Sequence, residues 1–86
     1  MDKESVLLYE TKNRKLGFLV YDECRNTGGA YLDIEMKVVG DNIRVYAVPF
    51  YALGELQPLP RLSFQESMAK LKGLVKGVEA GFHARN

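Results

Sequence analysis

Reactive side chains are scarce in this chain. Cys24 is the sole cysteine and His83 the sole histidine. One cysteine excludes an internal disulfide and fits a reducing, cytoplasmic setting. Cys24 follows Asp22 and Glu23, whose carboxylates are expected to raise a thiol pKa and make it a poorer nucleophile. His83 has no acidic or thiol partner at ligand spacing, so neither a metal site nor general-base work is expected of it. Charge of one sign is also missing. Twelve Lys plus Arg face eleven Asp plus Glu, too even a balance for broad electrostatic attachment to duplex DNA or an anionic membrane.

No apolar run approaches the length of a membrane span, and the opening MDKESVLLYE sets acids before a very short apolar stretch, unlike a signal peptide. Gly28-Gly29 lies in turn chemistry, with neither a Gly-Lys-Ser/Thr nor a GxGxxG pattern around it. Asp22-Glu23 and Asp33/Glu35 are paired carboxylates, but the solvated parts of strands explain them. A hydrolase needs two carboxylates across a cleft. The expectation is therefore a soluble protein that is not an enzyme and has no cofactor or metal.

What is present is enough for a core. Of 86 residues, 47% are hydrophobic, which argues for one globular domain over 1–86, with 1–4 and 83–86 as frayed tails. The most legible stretch is Ala30–Ala52. Leu32, Ile34, Met36 and Val38 alternate with Tyr31, Asp33, Glu35 and Lys37; on the return, Ile43, Val45 and Ala47 alternate with Arg44, Tyr46 and Val48. This pattern is two strands of a hairpin. A Gly40-Asp41 loop would use Gly40 at the positive φ of a type II′ turn, while an Asp41-Asn42 loop keeps the same faces. A one-residue slip sets Arg44 opposite Val38 and is disfavoured.

Ser5–Glu10 reads as a strand, and Thr11–Lys15 as a polar loop with three cations. Leu16–Cys24 alternates Leu16, Phe18 and Val20 against Leu19 and Tyr21 and reads as a further strand, with Gly17 marking a bulge or a close backbone approach. Arg25–Gly29 is a turn. Pro49 ends the last strand or leaves it as an edge. Phe50–Leu62 is a loop rich in large apolar residues, in which Pro58-Leu59-Pro60-Arg61 reads as a stiff crossover rather than a polyproline ligand.

Ser63-Phe64-Gln65-Glu66 matches a capping box. Phe64, Met68, Leu71, Val75, Val78 and Phe82 then recur in steps of four and three, with Leu74 beside them, as one stripe of an amphipathic helix. Roughly opposite that stripe lie Ala69, Gly73, Gly77 and Gly81. Either the helix ends near Gly73 or Gly77, or these small residues form a packing interface for a second backbone, such as a symmetry mate. The expected architecture is α+β: a four-stranded antiparallel β-meander with one C-terminal α-helix on its apolar face (ββββα). The expected core is Val6, Leu8, Phe18, Val20, Leu32, Ile34, Met36, Val38, Ile43 and Val45, capped by Phe64, Met68, Leu71, Val75 and Val78.

The remaining candidate surface is the hairpin's outward face: Tyr31, Lys37, Arg44, Tyr46, Val48 and Phe50. Tyrosine and arginine combine large area with a polar handle and dominate binding hot spots. The same residues also suit an ordinary exposed sheet face. Two partner classes are expected: a protein or a second copy of the chain as a homodimer, favoured by the mixed charges, or single-stranded nucleic acid stacking on Tyr31, Tyr46 or Phe50. The expected order of elements is similar to that of the Whirly type of single-strand binders, but Asp33 and Glu35 on the same face would repel phosphates.

Overall fold

The computed structural model describes residues 5–27, 32–49 and 61–85. Five elements follow in order: β1 (Val6–Thr11), α1 (Arg14–Thr27), β2 (Leu32–Val39), β3 (Asn42–Pro49) and α2 (Arg61–Arg85). The strands form an antiparallel sheet of order β1-β3-β2. Because β3 runs antiparallel to both neighbours, β1 and β2 are parallel to each other. Parallel strands cannot be joined by a tight turn and need a crossover, and α1 is that crossover.

The expected strand over Leu16–Cys24 is therefore a helix, and among the described residues the sheet has three strands rather than four. The apolar spacing supports both readings, since Leu16 and Val20 belong to an alternating set and also to a four-step set with Cys24. The local start signal decides between them. Thr11 Oγ1 accepts the Asn13 N–H at 3.0 Å, and Asn13 Oδ1 accepts the Leu16 N–H at 3.1 Å, as an N-cap side chain does. The Gly17 N–H then closes onto the Asn13 carbonyl at 2.9 Å. With this phase Leu16, Val20 and Cys24 are at most 2% exposed, whereas Phe18, assigned to the core by alternation, is 43% exposed. The element order β-α-β-β-α also departs from that of the Whirly type.

The hairpin has the expected register. Val39 pairs with Asn42, Val38 with Ile43 and Met36 with Val45, around a turn in which Gly40 has φ of 61°, and no non-glycine residue among those described has positive φ. Positive φ at the first loop position alone is the type II′ pattern, so the loop is Gly40-Asp41. Ile34, Ile43, Val45 and Ala47 are buried on the side facing both helices. Met36 is partly buried there, but Val38, near the hairpin tip, is 54% exposed. Packing across the layers is close at Gly17, where an added Cβ would stand 2.7 Å from Ile43 Cγ2. Gly17 thus marks a close approach, made by a helix.

In β1 the pairing shifts between Leu7 and Tyr9. This bulge changes which residues face which side. Before it, Val6 lies opposite Ala47 and Leu7 opposite Tyr46; after it, Tyr9 lies opposite Val45 and Glu10 opposite Arg44. Tyr9 therefore joins the core side and its hydroxyl donates to Glu79 Oε2 of α2 at 2.8 Å.

The stripe of α2 packs as expected through Met68, Leu71 and Val75, which are buried, with Leu74, Val78 and Phe82 partly buried. It packs chiefly on α1 and also on β1, so two helices rather than one cover the apolar sheet face. The helix starts at Arg61, two residues ahead of Ser63, and passes Gly73 and Gly77 to reach Arg85. It therefore does not end at those glycines, and 83–85 are helical rather than a loose tail. Tyr31, Phe50, most of the stretch 50–62 expected to be a loop, residues 1–4 and the side chains of Leu32, Ser63 and Phe64 lie outside the description.

Candidate functional site

Alternation along β2 and β3, with the bulge in β1, sets one group of side chains on the face away from both helices: Leu7 and Glu10 on β1, Asp33, Glu35 and Lys37 on β2, and Asn42, Arg44 and Tyr46 on β3. Leu7 is 44% exposed there. Lys37 and Arg44 are directly opposite in the register, a like-charge pairing that is unfavourable in itself. Each of the two side chains has its own partners. Arg44 Nε lies 3.1 Å from Glu10 Oε2, off the line of its N–H, so the contact is an ion pair rather than an aligned hydrogen bond. Arg44 Nη1 lies 3.5 Å from the Tyr46 hydroxyl. Lys37 Nζ sits over the Tyr46 ring, 5.6 Å from its centroid, within cation–π range.

Glu10 also accepts from Asn42 Nδ2. The Asn42 amide first, and then Arg44, hold its carboxyl below the usual carboxylate range. Arg44 is pushed further up, by the Tyr46 hydroxyl first and Glu10 second. The result is a surface in which one aromatic ring is framed by fixed charges of both signs.

Of the sequence-derived candidates, Lys37, Arg44 and Tyr46 come together here. Val48 has the same parity but is only 6% exposed and offers almost no surface. Tyr31 and Phe50 lie outside the described residues. Leu7 and Glu10 were not anticipated, because the bulge reverses the parity of β1 halfway along and no residue in Val6–Thr11 announces it. Ala69, Gly73, Gly77 and Gly81 are exposed, and a Cβ added at any of the three glycines would meet nothing within 4 Å.

Elsewhere the chemistry is muted. Cys24 is fully buried, and burial first, with Glu23 second, pushes its thiol up to about 11. The expected direction holds, though desolvation outweighs the carboxylate. Among the described residues no three His, Cys, Asp or Glu side chains gather as a metal site, and no helix is long and apolar enough to cross a membrane. A groove of about 300 Å³ runs between α1 and the end of α2, lined by Leu19, Val78 and Phe82 with Glu23 and Arg85. No protein-family model, curated protein or solved structure matches this chain.

Proposed function

We propose that this chain is a small, non-enzymatic protein-interaction domain whose contact surface is the helix-free face of its sheet. The observation that carries this reading is the combination on that face of exposed Leu7 with the Tyr46 ring, itself framed by the Arg44–Glu10 pair and Lys37. An aromatic and an arginine held in place lose little freedom on binding, and mixed charges suit a protein surface of complementary pattern. A single-stranded nucleic acid suits the face less well. Three acids, Glu10, Asp33 and Glu35, share it with two cations, Lys37 and Arg44, and the Lys37 ammonium occupies one side of the ring on which a base would stack.

The test is affinity capture from native lysate with the wild-type chain beside Leu7→Asp, Tyr46→Asp and the exposed helix control Glu66→Ala. A protein retained by wild type and control but lost with both face variants is the expected result. Retention by all four chains removes the face from the reading. Labelled single-stranded oligonucleotides at low ionic strength should fail to bind; salt-sensitive binding lost in Tyr46→Asp would favour the nucleic-acid class instead.

A further inference from the structure

The two edges of the sheet are unlike. β1 carries the bulge, which discourages further pairing. β2 pairs with β3 through all eight residues without a shift. Among the described residues no strand lies along its outer edge. In a hairpin with a two-residue loop, the residues flanking the loop exchange both backbone bonds. Val39 and Asn42 are that pair, so the odd residues of β2 bond to β3. The N–H and C=O groups of Ile34, Met36 and Val38 therefore point outward; the Ile34 N–H is held by Asp33 Oδ1 at 3.0 Å, and a strand pairing here would have to take it over.

We infer that β2 pairs antiparallel with β2 of a second copy of this chain, about a two-fold axis at Met36. The side-chain pattern selects this register. With Met36 opposite Met36, Glu35 of each chain lies opposite Lys37 of the other, and Ile34 lies opposite Val38. Sliding the copy by two residues in either direction sets Glu35 against Glu35 or Lys37 against Lys37, and a one-residue slide reverses the faces. The chosen register creates two attractive cross-strand pairs, opposes no like charges, and covers Val38, which is 54% exposed in the single chain. It joins two three-stranded sheets into one, with both helix pairs on the same side. This inference does not rest on the face reading above.

Analytical ultracentrifugation of the full chain should show a reversible dimer. Glu35→Lys alone and Lys37→Glu alone set like charges opposite each other twice per dimer, and each should weaken self-association about tenfold or more while remaining folded. Mixing these two variants places lysine against glutamate at every site and should restore dimers, all of them mixed. Amide exchange should slow at Met36 and Val38 as concentration rises. Tyr46→Ala should leave the dimer intact, which separates this edge from the partner-binding face. A wild-type chain that stays monomeric, single variants that dimerise as wild type does, or a mixture that stays monomeric would each overturn the inference.

Discussion

At the residue scale, Tyr9 ties β1 to α2. Burial first, and the bond to Glu79 second, raise its hydroxyl to about 12 from the ordinary 10. The folded protein therefore holds this proton more tightly than the unfolded chain. The resulting stability is fully present below pH 10, and it is lost as pH rises from 10 towards 12. Tyr9→Phe removes both the bond and this titration. It should cost about 0.5–1.5 kcal/mol at neutral pH and flatten the alkaline decline, as denaturant melts at stepped pH will show. Glu10 acts in the opposite direction. Its lowered carboxyl pKa adds stability above its unfolded value that is lost as pH falls through the folded one. Gly17 is sensitive for a steric reason. A methyl group there stands 2.7 Å from Ile43 Cγ2, so Gly17→Ala should force α1 off the sheet and cost about 1–3 kcal/mol. An unchanged melting temperature would mean the two layers separate freely at this point.

At the scale of elements, α2 is a helix held by one stripe against the intrinsic preference of its other side. Gly73 and Gly77 are helical, and an added Cβ at either site touches nothing. Each costs the helix about 0.8–1 kcal/mol relative to alanine. Gly73→Ala and Gly77→Ala should therefore each stabilise by nearly that amount in denaturant melts, with no change in oligomeric state. A loss of self-association in these variants would mean that a second backbone packs on the glycines. The stripe of α2 and the hairpin were legible because each has one dominant period and, for the hairpin, a glycine where the turn requires positive φ. α1 was not, because Leu16, Phe18 and Val20 satisfy a period of two while Leu16, Val20 and Cys24 satisfy a period of four. The deciding signals, the Asn13 cap and the Gly17 contact with Ile43, lie outside the apolar pattern or require a second element. The surface was half legible for a related reason. Parity along β2 and β3 brings Lys37, Arg44 and Tyr46 together, but Leu7 and Glu10 join them only through a backbone bulge.

At the scale of the whole molecule, one apolar layer is shared by every element. A domain of this size has about 4–13 kcal/mol of total stability. Ile34→Asp places a charge at a position 5% exposed, a cost on the order of 4 kcal/mol or more that consumes much or all of that margin. Glu35→Ala, one residue away on the exposed side, should leave the folded chain nearly unchanged. Comparable losses of ellipticity in both would mean the faces are reversed. Self-pairing adds a dependence that no single-chain contact produces, because association stabilises only the folded form. The wild-type melting temperature should therefore rise as the chain is concentrated from about 1 to 300 μM, while that of Glu35→Lys should begin to rise only at about tenfold higher concentration or above. The comparison isolates the edge, since Glu35 is exposed and is not a member of the buried cluster. If both chains gain equally with concentration, the association runs through another surface, and the groove of Leu19, Val78 and Phe82 is the next to probe.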